Sequence, residues 1–78
     1  MTHYAKLKWH CRRGMRELDL LLEGFLVNQY EALSAADRAS FERLLDCCNE
    51  DLMAWFINGD SSQDEQLAGI VNQVRDQF

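Results

Sequence analysis

Apolar residues recur at helical spacing along most of the chain. The strongest run covers residues 15–33, where Leu18, Leu21, Leu22, Phe25, Leu26, Tyr30 and Leu33 follow steps of three and four. Asp19, Glu23, Asn28 and Glu31 fall largely on the opposite side. This spacing predicts one long amphipathic helix as the central packing element. Ser34, with Asp37 three residues on, then reads as a helix cap. The next stripe is Phe41, Leu44, Leu45 and Cys48. Asn49 reads as another cap, with Glu50 and Asp51 in a first turn whose dipole favours anions. Leu52, Trp55 and Phe56 form the apolar face of that helix, and Gly59 supplies a left-handed C-terminal cap. Ser62 with Glu65 reads as a capping box for a last helix striped by Leu67, Ile70, Val71 and Val74. Ahead of all these, Tyr4, Leu7 and Cys11 mark a short first helix that ends near Gly14. The pattern predicts an all-α fold, a compact five-helix bundle formed as a single helical domain over residues 1–78. Short loops make neighbouring helices roughly antiparallel.

Composition narrows what such a bundle does. With 78 residues and no proline, the chain is helix-friendly but small. A chain of this size buries roughly 60% of its unfolded surface, so the core is thin. An enclosed active site would compete with that core for the same side chains. No run of about 18 apolar residues exists, so no membrane insertion is expected. The segment Met1-Thr-His-Tyr-Ala-Lys6 has no apolar stretch of the kind a secretion signal carries. The three cysteines, Cys11, Cys47 and Cys48, are odd in number and form no CxxC. They point to a reducing compartment, the cytoplasm of a bacterium being the simplest. His10, Cys11, Cys47 and Cys48 match no zinc-ligand spacing, so no metal is expected. Cys11 and Cys48 read as small buried hydrophobes.

Charge divides the chain. The net charge is −5, yet residues 1–16 carry Lys6, Lys8, Arg12, Arg13 and Arg16 with no acid. All 13 acidic residues lie beyond them. A basic head on an acidic body is either plain solvated surface or a docking patch. No catalytic set accompanies it. The two histidines, His3 and His10, both lie in the head, and there is no Gly-rich phosphate loop, HExxH or GxSxG. No nucleophile, base and orienter come together in sequence, so no catalytic residue is assigned and a binding module is expected.

The informative segment is Trp9-His10-Cys11-Arg12-Arg13-Gly14-Met15-Arg16-Glu17-Leu18-Asp19. Gly14 separates two helical stretches and suits a corner, where a positive φ and close backbone approach are open to it. Glu17 falls in the first turn of the long helix, and Arg13 lies four residues before it, within pairing reach. Trp9 and Met15 add apolar surface. Arginine and tryptophan anchors with a paired charge are what interface hot spots are made of. The bland alternatives stand beside this: Gly14 as a plain cap, Arg13–Glu17 as a surface pair worth roughly 0–1 kcal/mol, Trp9 as core.

At this segment the chain resembles the succinate dehydrogenase FAD assembly factors. Arg13-Gly14-Met15-Arg16-Glu17 matches their RGxxE motif, and Cys11 to Asp19 resembles the bacterial form. The likeness continues through Leu33-Ser34, Phe41 with Leu44-Leu45, and Asp51-Leu52 with Trp55. One departure is the loop before the last helix, Gly59-Asp60-Ser61-Ser62, where relatives often have proline. The resemblance implies a protein that binds the flavoprotein subunit of succinate dehydrogenase, and of fumarate reductase, and promotes covalent attachment of FAD to a histidine of that subunit. It implies Arg13, Gly14 and Glu17 as partner-binding positions, with Met15, Arg16, Trp9 and Asp19 as neighbours. FAD then belongs to the client, and this chain holds no cofactor stably. Two other classes stay in view: an antitoxin-like or regulatory protein-binding module, and a nucleic-acid module. The acidic body and a pI near 4.8 argue against nucleic acid as a partner.

Overall fold

The 15–33 stripe splits into two elements. Helix α2 runs Arg16–Asn28, and a 3-10 turn, Tyr30–Ala32, follows it. Carbonyls of this turn accept from Arg38, whose Nε donates to Tyr30 O at 3.2 Å and whose guanidinium donates to Glu31 O at 2.6 Å. The tighter turn still delivers Tyr30 to the core, where its ring lies 5.9 Å from that of Phe41. Of the stripe, Leu18, Leu22, Phe25, Leu26 and Tyr30 are buried while Leu21 and Leu33 are half-buried, so the stripe marks the packed face and overstates the helix. This computed structural model describes residues 3–77, with only the backbone of His3.

The other elements are α1 His3–His10, α3 Ala35–Leu45, α4 Asn49–Phe56 and α5 Glu65–Asp76. The described residues form five α-helices and no strand, as the pattern predicts. Ser34 caps α3, its hydroxyl accepting from Asp37 N at 3.1 Å. At α5 the expected cap moves. Asp64, not Ser62, is the N-cap: its carboxylate accepts from Gln66 N and Leu67 N, while Ser62 Oγ accepts from Asp64 N. A carboxylate placed directly before the helix outcompetes a hydroxyl two residues earlier for the orphan N–H groups. At α4 the cap position is Cys48, with no side-chain bond, and Asn49 is the first helical residue. Its amide is engaged elsewhere, as described below. Gly59 takes φ +80°, as a left-handed cap requires.

The core gathers Leu18, Leu22, Phe25 and Leu26 from α2 around Phe41 and Leu44 from α3, Leu52 from α4, and Ile70, Val71 and Val74 from α5. The largest helix–helix contact is α3 against α5, and α2 touches α1, α4 and α5. Leu7 and Cys11 fasten α1 onto this frame, whereas Tyr4, expected with them, is 40% exposed. Cys48 is also exposed, and Cys47 is the half-buried member of the pair. The radius of gyration is 11.4 Å, against about 11.5 Å for a compact chain of this length. No described helix is long and apolar enough to cross a membrane.

Candidate functional site

The corner between α1 and α2 is where sequence places its chemistry, and the structure gives each residue there a distinct task. After α1 ends, Cys11 N bonds back to Leu7 O, and Arg12 N to Trp9 O, closing the last turn. Cys11 is buried, and desolvation, with the nearby Glu23 carboxylate, pushes its thiol up to about 12. It is packing, not chemistry. Arg12 turns to α2, its Nε 3.5 Å from Glu23 Oε1.

Arg13 is held from several sides. Its N–H donates to Asp19 Oδ1 at 2.6 Å. Its carbonyl accepts from Asn49 Nδ2 at 3.4 Å. Its half-buried guanidinium donates to Cys47 O at 3.1 Å and to Leu45 O. Those carbonyls lie at the C-terminal end of α3 and just beyond it, where carbonyls lack helical partners and the helix dipole is negative. A cation fits there for both reasons. The expected Arg13–Glu17 pair does not form: the carbonyls are the better-placed acceptors, and Glu17 stays exposed, with no ion pair among the described residues.

Gly14 follows at φ +76° and is exposed, with nothing within 4 Å of where a Cβ would stand. Its glycine requirement in the free chain is therefore conformational and not spatial. Met15 is half-buried against the core in an extended conformation that starts α2. Glu17 and Asp19 occupy the first turn, where the helix dipole welcomes them. Asp19 spends one oxygen on Arg13. Arg16 and Glu17 project outward. Trp9 is 67% exposed, so it is not core. Beside it Ala5, Lys8 and Arg12 border an open depression of the surface.

The predicted positions thus separate into two groups. Gly14, Arg16, Glu17 and Trp9 present an outward face; Arg13, Asp19 and Met15 build the support beneath it. Sequence reading missed Asn49 as part of this support, because an asparagine before an apolar stripe looks like a cap. It also missed the acceptors Leu45 O and Cys47 O, since backbone carbonyls leave no mark in a residue pattern. Among the described residues no three His, Cys, Asp or Glu side chains gather to hold a metal ion.

A family model described as flavinator of succinate dehydrogenase matches residues 5–78. The chain is 44% identical over 75 residues to the FAD assembly factor SdhE of Shewanella oneidensis, covering 96% of this chain and 92% of that protein. It is 46% identical over 66 residues to the FAD assembly factor SdhE of Idiomarina loihiensis, covering 85% and 73%. Against the protein of that name from Pseudomonas aeruginosa it is 40% identical over 75 residues, covering 96% and 89%. With the family model matching from within α1 through the whole of α5, the chain belongs to the succinate dehydrogenase flavinator family.

Proposed function

We propose that this chain is an assembly factor, not an enzyme, that binds the flavoprotein subunit of succinate dehydrogenase and promotes covalent attachment of its FAD. Membership of the flavinator family over residues 5–78 is the observation that carries this reading. The finer parts of the proposal are that fumarate reductase supplies a second client and that the encounter takes place in the bacterial cytoplasm. The α1–α2 corner supports a docking role: Gly14, Glu17, Arg16 and Trp9 stand outward on a braced turn.

The reaction belongs to the client, whose own histidine and flavin form the bond. This chain binds and orients. Holding two groups of a partner in a reactive alignment is worth several kcal/mol of barrier. A docking protein delivers that alignment by binding the aligned arrangement more tightly than the open one. Glu17 offers acceptors, Arg16 donors, Trp9 an apolar anchor, and Gly14 an approach free of a side chain.

The test uses the purified flavoprotein subunit lacking covalent flavin, mixed with FAD with and without this chain. Flavin fluorescence of the denatured subunit on a gel reads the attached fraction. The wild-type chain is expected to raise the rate, and folded Glu17→Ala and Gly14→Arg variants to lose most of that gain. No gain with wild type overturns the function; full gain with both variants overturns the site.

A further inference from the structure

We propose that Asn49 is a positioning residue of the docking corner, acting through the Arg13–Gly14 peptide to aim the Gly14 N–H at an acceptor on the partner. The inference rests on the docking reading above and adds a residue and an atom to it. A peptide unit is planar, and in its trans form the carbonyl and the following N–H point in opposite directions. The Arg13 carbonyl and the Gly14 N–H belong to one such plane, since no cis peptide occurs among the described residues. Asn49 Nδ2 takes the carbonyl at 3.4 Å from the half-buried start of α4. The N–H on the other edge of the plane is thereby turned away from α4. Gly14 is exposed, and its N–H makes no hydrogen bond to any described residue.

The rest of the brace leaves this plane free to turn. Asp19 holds the N–H of Arg13 at 2.6 Å, which belongs to the preceding peptide. The Arg13 guanidinium holds the side chain on Cys47 O and Leu45 O. Rotation about the bonds flanking the 13–14 peptide is the remaining freedom, and glycine gives it little steric resistance. Among these contacts, the Asn49 amide is the one that grips that plane. Its other atom, Oδ1, is buried and makes no hydrogen bond among the described residues. An amide that leaves its own carbonyl unsatisfied costs stability, so Asn49 contributes little to folding on balance. Its value lies in where it points the loop. The ligand class follows from the atom: an exposed peptide N–H selects a carbonyl or carboxylate oxygen on the flavoprotein surface.

The experiment is Asn49→Ala, with Glu50→Ala as a control on the exposed neighbour in the same helical turn. Loss of the donor and removal of the orphan carbonyl offset each other, so Tm is expected to move by less than about 4 °C. The Gly14 amide is expected to lose order in ¹⁵N relaxation and to shift in the ¹H–¹⁵N spectrum, while core amides hold. Affinity for the flavoprotein subunit, measured by calorimetry, is expected to fall about three- to ten-fold, the worth of one preset hydrogen bond. Glu50→Ala is expected to match wild type in both. If wild type binds and Asn49→Ala binds equally well, the inference falls and the docking reading stands. An unmoved Gly14 signal in the variant also overturns it. If wild type does not bind the subunit, the docking reading falls and takes this inference with it.

Discussion

Arg13 carries the first prediction, because its sequence role and its structural role make opposite forecasts. As a partner-binding cation it would cost binding and no stability. In the structure its guanidinium lies inside, on Leu45 O and Cys47 O. A hydrogen bond from a charged donor is worth about 1.5–3 kcal/mol, and the C-terminal helix dipole adds a few tenths to about 1 kcal/mol. Two effects pull the other way. Water reaches part of the exposed carbonyls, and truncation also removes Arg13 Nε, a buried donor with no hydrogen bond among the described residues. The net cost of Arg13→Ala is then about 2–3 kcal/mol, at the low end for two charged bonds. For a domain of this size that is a Tm loss of roughly 10–20 °C. Total stability at 78 residues is of order 4–12 kcal/mol, so the variant stays folded at low temperature. Arg13→Lys keeps the charge but not the fork and is expected to lose about half as much.

The assay is thermal unfolding by circular dichroism for the three proteins, followed by flavinylation at a temperature where all are folded. A Tm within about 2 °C of wild type for Arg13→Ala, with flavinylation abolished, would refute the reasoning. It would mean that the guanidinium serves the partner and that the two carbonyls are indifferent to it.

Two further outcomes follow from single features. Gly14→Ala meets no neighbour within 4 Å but must hold φ +76°, so it should cost about 1–2 kcal/mol from backbone strain alone, with Gly14→Asn between it and wild type; equal Tm values for all three would remove the strain argument. Asp64 is held below the usual carboxylate range, chiefly by the Arg43 side chain 2.7 Å away and by the Leu67 N–H. Its folded value is the lower one, so its stabilisation is present above the ordinary aspartate range and lost as pH falls through it. Asp64→Asn keeps an N-cap acceptor and drops the charge, so Tm is expected to fall less steeply below about pH 4 than in wild type; parallel curves would count against the pair.

What the sequence disclosed was the burial pattern, because apolar spacing is itself the cause of packing. Leu18, Leu22, Phe25, Phe41, Leu44, Leu52, Ile70, Val71 and Val74 are all in the core. What it did not disclose were choices between competing polar partners. Asp64 displaced Ser62 because it stands nearer the helix start. Arg38 satisfies two carbonyls of the 3-10 turn that follows α2, and no periodicity records a guanidinium eight residues away. Tyr4 and Cys48 fit their stripes yet are exposed: Tyr4 stands at the start of α1, and Cys48 lies beyond the end of α3, at the cap position of α4, where the helical period of its stripe no longer applies. The α1–α2 corner was legible as a break between helices and not in its wiring. Arg13 and Glu17 share the spacing of a pair, but burial decides the contest, and Arg13 goes to acceptors that only the folded chain brings near.

That wiring changes what the basic head offers a partner. Of its five cations, Arg12 is spent on Glu23 and Arg13 on carbonyls of the α3–α4 turn. Lys6 borders a groove with His10, Glu42 and Asp46, so carboxylates stand beside it. Lys8 and Arg16 remain on the outer surface, with Glu17 and the exposed Trp9 near them in sequence. A polyanion gripped by all four exposed cations, Lys6, Lys8, Arg12 and Arg16, would release about four counterions, a salt dependence still below that of a dedicated nucleic-acid module with six to ten phosphate contacts. A mixed face of one ring, the cations Lys8, Arg12 and Arg16, one carboxylate and a bare peptide edge offers apolar, donor and acceptor groups together, as protein interfaces do. The imbalance visible in the sequence is thus only partly consumed in bracing the corner: Arg13 goes to carbonyls and Arg12 leans on Glu23, while Lys6, Lys8, Arg12 and Arg16 stay exposed beside carboxylates of the body.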